Sequence, residues 1–226
     1  MRTLLFALLL FVTACSSAKQ LTPEMRYQAS KATAKWLIEE HGEYENSFTS
    51  SYLDKISARL NQGIVHPPSW SFFILDSKEV NAFAIGHATI VLTRGLLEHV
   101  ETEGQLAAVI AHEMSHELKG HVEQALIDQI ERNESGEQPS PKFHFSVEQE
   151  KEADKTALTL LLAGGFDLNG AIEAIYLFSR LNDKKVSHEN WADTRLSHIA
   201  AEIRHYHRTL PGTHNSRNFY KMKATL

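Results

Sequence analysis

His112-Glu113-Met114-Ser115-His116 lies inside a run from Glu103 to about Arg132 that reads as one amphipathic helix. Thr102 supplies its cap, and Leu106, Val109, Ile110, Leu118 and Val122 carry its apolar positions. At 3.6 residues per turn, His112 and His116 stand one turn apart on one face, so both imidazoles can reach a single cation. Glu113 sits about 100° round from His112, where its carboxylate can reach a water at that cation without ligating it. Those are two zinc ligands and a general base within a turn and a half.

A catalytic zinc takes a third protein ligand and keeps one position open. The segment Ser146-Val147-Glu148-Gln149-Glu150-Lys151-Glu152-Ala153-Asp154 opens the next helix and offers carboxylates for that place. Glu150 and Asp154 stand at i and i+4 and share a face. With Glu150 on the metal, Asp154 can orient a ligand histidine through its second ring nitrogen. Glu152 is about 200° from Glu150 on the wheel and faces elsewhere.

Composition narrows the chemistry further. The chain has 226 residues, 42% apolar and 23% charged, with 13 histidines and a single cysteine. One cysteine excludes a disulfide framework and any multi-thiolate metal site, so metal ligands must be imidazoles and carboxylates. The 28 acidic residues outnumber the 23 basic ones. That balance argues against a nucleic-acid binder, which needs a basic stripe for phosphates.

Around the central helix the chain reads as one mostly helical α+β domain of about six helices and two or three short strands. Thr22-Pro23-Glu24 opens a helix running to about Glu40, and a second covers Ser51 to Gln62. Trp70 to Leu75 and Ala88 to Thr93 read as strands. Asn133 to Lys142 has linker composition. A helix capped by Ser146 ends at Gly164-Gly165, another runs from about Leu168 to Leu181, and the last from Asp193 to about Thr209. The domain is expected over residues 22–210, with 211–226 as a polar C-terminal tail.

Met1–Cys15 reads as a targeting signal rather than structure: Arg2 followed by an apolar run from Leu4 to Val12, too short to cross a bilayer as a helix. Val12-Thr13-Ala14-Cys15 resembles the lipobox of bacterial lipoproteins. That resemblance implies a signal peptide over 1–14, cleavage before Cys15, lipidation of Cys15 and a tether over 15–21. With Ser16 next, it also implies sorting to the outer membrane, so that the domain hangs in the periplasm.

Over roughly residues 75 to 205 the chain resembles the M48-type (gluzincin) peptidases. The motifs that carry the resemblance come in the family's order: Asn81-Ala82-Phe83-Ala84, the run ending Thr93-Arg94-Gly95-Leu96-Leu97, the H-E-x-x-H helix, and Glu150-Lys151-Glu152-Ala153-Asp154. The family's third ligand maps onto Glu150, not Glu152. Its later histidine and arginine map onto His188 and Arg195, with Glu189 in place of a proline and one extra residue between them. The family's Pro-Gly-Gly after N-A-F-A is replaced here by Ile85-Gly86-His87.

The resemblance implies a zincin-like fold, with a small sheet packed on the long H-E-x-x-H helix, and one Zn2+ per chain held by His112, His116 and Glu150. It implies Glu113 as general base, Asp154 behind a ligand histidine, and Arg195 or His188 as partner to the tetrahedral oxyanion. The strand Ala88–Thr93 and the segment Asn81, Ala82, Phe83 and Ala84 would line the cleft and take an extended substrate along a sheet edge. The function expected is a lipid-anchored periplasmic zinc endopeptidase acting on unfolded or misassembled envelope proteins. The competing expectation is a chaperone-like or scaffold lipoprotein of the outer-membrane assembly machinery with a little-used metal site. Among the other histidines, His121 is about 180° from His112 on a continuous helix and reads as a packing residue. His87 reads as exposed, and His198, Glu202 and His205 as a solvated polar face.

Overall fold

A computed structural model describes residues 21–134, 143–182, 191–206 and 215–226. The leader with Cys15, residues 135–142 of the linker and the segment with His188 lie outside the described residues. Helix α1 (Pro23–His41) begins as the sequence predicts: Thr22 accepts from the Met25 N–H at 3.2 Å, with proline in the first turn. Helix α2 (Ser47–Leu60) starts earlier than its apolar spacing suggests, because the Asn46 side chain caps the Thr49 N–H at 3.0 Å.

Strands β1 (Ser71–Leu75), β2 (Ala82–Ala84) and β3 (Thr89–Thr93) form one sheet in the order β1-β3-β2. β1 runs parallel to β3 and β2 antiparallel to it. β3 is therefore central, and all five of its residues are buried. Ile90 and Leu92 face the main core, while Val91 joins Leu75, Ala34 and Leu37 under α1. The expectation that Ala88–Thr93 lines the cleft is corrected: it pairs with a strand on each side, and β2 is the edge strand beside the cavity.

Thr93 then caps a short helix, α3 (Arg94–His99), which is too brief for a periodic signal. The long central helix divides in two, α4 (Glu103–Leu118) and α5 (His121–Glu134). Gly120 adopts φ +74° at the break, a left-handed turn that glycine enters without steric cost. Helices α6 (Val147–Ala163), α7 (Asn169–Asn182) and α8 (Trp191–His205) follow. α6 opens with a reciprocal capping box between Ser146 and Gln149.

α4 is the hub, with every residue from Glu103 to Ala111 buried. α7 approaches it so closely that a Cβ on Gly170 would lie 2.3 Å from the Gly104 carbonyl. Two glycines let the backbones meet there.

The C-terminal stretch is not a polar tail. Helix α9 (Arg217–Lys223) buries Phe219 and Met222 in the main core. Seven residues carrying three basic side chains have low average hydrophobicity, yet two apolar residues three apart suffice for one buried face. Asn215 and Ser216 tie its start to α4 by accepting from the Glu103 N–H and donating to the Glu103 carboxylate, both at 2.7 Å. At the other end, Leu21 of the expected tether is buried against Ala84, Val122 and Leu126.

Candidate metal centre and cleft

His112 and His116 project from the middle of α4, and Glu150 reaches them from the first turn of α6. Their Nε2 atoms are 3.1 Å apart. Glu150 places one carboxylate oxygen 3.4 Å from His112 Nε2 and the other 3.8 Å from His116 Nε2. Ligand atoms held at zinc distances in a tetrahedron lie about 3.3 Å from one another. The three side chains thus have the spacing of a metal cluster, and among the described residues they are the group with that property. Glu150 Oε2 is buried and accepts no hydrogen bond, although Arg195 Nη1 lies 3.1 Å away, out of line. A buried carboxylate with one oxygen left without a hydrogen bond, and with its two oxygens each beside an imidazole nitrogen, suits a divalent cation.

Asp154, one turn beyond Glu150, lies 3.0 Å from His112 Nδ1. That contact directs the Nε2 lone pair of His112 toward Glu150 and His116. Arg195, brought in by α8, donates from Nε to Asp154 at 2.9 Å and also bonds it through Nη2. All three guanidinium nitrogens face Asp154, Glu150 or His112. Arg195 is therefore the counter-charge of both carboxylates, and it also lines the cavity beside the cluster.

Burial and the Arg195 charge both act to deprotonate His112, but the Asp154 and Glu150 carboxylates beside it outweigh them and raise its pKa to about 9. His116 is held well below the usual imidazole range by burial and by His112 and His121. Burial opposes ionisation of Asp154 and Glu150, yet Arg195 and His112 lower both. Glu113 moves the other way: burial raises it to about 7, against the attraction of His112.

A cavity of about 300 Å³ opens beside the cluster. Asn81–Ala84 forms one wall, Phe143–Phe145 another, and Ala108, Val109, Ala174, Ile175 and Phe178 give it an apolar floor. On β2, the amides that point away from β3 are met by side chains. Ala82 N–H donates to Asn81 Oδ1 at 3.0 Å, and Ala84 N–H to Glu113 Oε2 at 3.1 Å. One turn along α4, Glu117 accepts from the Ala88 N–H at 2.9 Å. The β2–β3 turn between them holds Gly86, His87 and Ala88 at positive φ. His87 is exposed, edge-on to Tyr27.

Sequence reasoning missed two neighbours of His116. The Gly120 break carries His121 to its side, with Nδ1 3.1 Å from His116 Nδ1 and Nε2 3.3 Å from Glu152 Oε2. Phe145 stacks on the His116 ring with centroids 3.9 Å apart. Lys119-Gly120 is the signal that could have shown the first, since a basic residue followed by glycine commonly ends a helix. His198 lies 3.8 Å from Glu202 and joins no third ligand among the described residues.

The model of Peptidase family M48 matches residues 50–135, from α2 to α5, a span that contains His112, Glu113 and His116. The chain is 29% identical over 148 residues to a beta-barrel assembly-enhancing protease of Escherichia coli, covering 52% of this chain and 30% of that protein. It is 31% identical over 114 residues to a mitochondrial metalloendopeptidase of Arabidopsis thaliana, covering 44% of this chain and 24% of the relative. With metalloprotease LoiP of Escherichia coli it shares 26% identity over 164 residues, 63% of this chain and 64% of the relative. The chain spans about a third of the length of the assembly-enhancing proteases it matches. The family match thus falls on the helix that carries both histidines of the cluster, and over that span the chain is similar to peptidase family M48.

Proposed function

We propose that the protein is a zinc metalloendopeptidase. The observation that carries this reading is the tetrahedral spacing of His112, His116 and Glu150 beside Glu113, in a cavity walled by a sheet edge. His112, His116 and Glu150 would hold the zinc, which when bound supplies Lewis acidity toward a peptide carbonyl and acidifies a water. Glu113, raised to about 7 and anchored through Oε2 to Ala84, would have Oε1 left to take up a proton in the cleft near neutral pH and give it to a departing amine. Asp154 holds the His112 ring, and Arg195 balances Asp154 and Glu150. An extended peptide would lie along β2 and donate to its outward carbonyls, since the Ala82 and Ala84 amides are bonded to Asn81 and Glu113, a mode that selects chain accessibility over side-chain identity.

The same reading extends to place and substrate. Lipidated at Cys15, the protein would be anchored to the outer membrane on its periplasmic side and cleave unfolded or misassembled envelope proteins. The lipobox-like Val12–Cys15 and the similarity to beta-barrel assembly-enhancing proteases support this. Among the described residues no helix is long and apolar enough to cross a membrane.

The test is cleavage of an unfolded protein by zinc-loaded chain, with Glu113→Gln purified in parallel. Cleavage by the native chain alone establishes the peptidase, and equal cleavage by both attributes it to a contaminant. Incorporation of labelled palmitate that is lost in Cys15→Ala tests the anchor.

A further inference from the structure

We propose that His121 and Glu152 are positioning residues for the metal, fixing the tautomer and orientation of His116 through the series His116 Nδ1–H to His121 Nδ1 and His121 Nε2–H to Glu152 Oε2. The proposal rests on the metal-site reading above and deepens it.

Proton accounting drives the argument. His116 turns Nε2 toward His112 and Glu150, so a ligand role requires a lone pair there and the ring proton on Nδ1. That proton points at His121 Nδ1, 3.1 Å away, in a place where both residues are buried. His121 Nδ1 must then accept, which puts the His121 proton on Nε2, 3.3 Å from Glu152 Oε2. An ionised carboxylate only accepts, and Lys119 Nζ holds its other oxygen at 3.0 Å. Every donor in the series meets an acceptor. The opposite assignment fails at both ends. It puts a proton on His116 Nε2, inside the metal cluster, and sets a bare His121 nitrogen against a carboxylate.

The series is built by the helix break. On a continuous α4–α5 helix the fifth residue after His116 would point about 140° away from it. The left-handed Gly120 starts α5 in a new direction and returns His121 to the His116 ring. Phe145 stacks on that ring and limits its rotation. His112 is oriented from α6 by Asp154, so the two ligand rings are held by separate parts of the fold.

Zinc affinity of the full chain, measured by competition with a chromogenic chelator, tests the proposal without reference to peptide cleavage. His121→Ala should weaken zinc binding by about 10- to 100-fold, the usual cost of losing a partner of a ligand histidine. His121→Asn places an amide oxygen where Nδ1 stood and should recover most of that loss. Glu152 is half exposed, so Glu152→Ala threatens no folding and should weaken binding several-fold. Nitrogen-15 spectra of the native chain should show His116 protonated at Nδ1. Unchanged affinity in both alanine variants, equal loss in His121→Ala and His121→Asn, or an Nε2-protonated His116 would each overturn it. Zinc uptake without cleavage removes the peptidase alone. A native chain that takes no zinc overturns the metal site and this proposal together.

Discussion

The backbone N–H of Ala84 donates to Oε2 of Glu113 at 3.1 Å, joining the edge strand to the helix that carries both histidines of the candidate metal cluster. One oxygen of the expected base is thus fixed by the wall along which substrate would lie, and the other remains available for proton transfer. Glu113→Gln keeps an oxygen that can accept from Ala84 but cannot take a proton. It should lower kcat by about 10²- to 10⁴-fold with zinc affinity unchanged. Steady-state kinetics beside chelator competition checks both halves.

The metal-free protein should lose stability as pH rises from about 6.5 to about 9; below that interval the depressed His116 gives an opposing slope. Glu113 is raised from 4.5 to about 7 and His112 from 6.5 to about 9 on folding. In each case the folded state binds more protons across the interval, so the contribution is complete below the unfolded pKa and lost above the folded one. Melting temperatures of chelator-treated protein across that range provide the check. Zinc must displace the His112 proton, so its binding near neutral pH should release protons measurably in calorimetry with different buffers.

Asp154→Asn should destabilise the metal-free chain by about 3–5 kcal/mol, because it leaves the buried Arg195 guanidinium without its main counter-charge. The new amide can still accept from His112 Nδ1, so the loss should appear in denaturant unfolding even where zinc is absent.

Glu117 and Glu113, one helical turn apart, accept from Ala88 and Ala84 and so fasten the β2–β3 turn to α4 at two points. Glu117→Ala should raise KM with little change in kcat, while Glu117→Gln, which keeps the acceptor, should behave as the native chain. Amide exchange at Ala88 should quicken in the alanine variant alone.

Phe219→Ala should cost about 3–5 kcal/mol, the usual result of emptying a buried aromatic site. A surface tail would show almost no change in the same thermal melt.

What could be read from the sequence was local. The i, i+4 spacing of His112 and His116 places them together on any α-helix, and the same rule pairs Glu150 with Asp154 on α6. The caps at Thr22, Thr102 and Ser146 involve contacts three residues apart and fall where the sequence puts them. The choice of Glu150 among its neighbouring acids came from the family resemblance, and the structure places its carboxylate beside both imidazoles.

The tertiary structure decided what depends on distant partners. One left-handed glycine turned His121 from the far side of a presumed helix onto the His116 ring. Strand order made β3 central and β2 an edge, because hydrogen-bond pairing is set between segments and not within them. Arg195 meets Asp154 across 41 positions, and α9 enters the core by packing on α2 while Ser216 before it bonds the buried Glu103 carboxylate of α4. Periodicity along a chain records which residues share a side of one element; it carries no information on which element will be packed against that side.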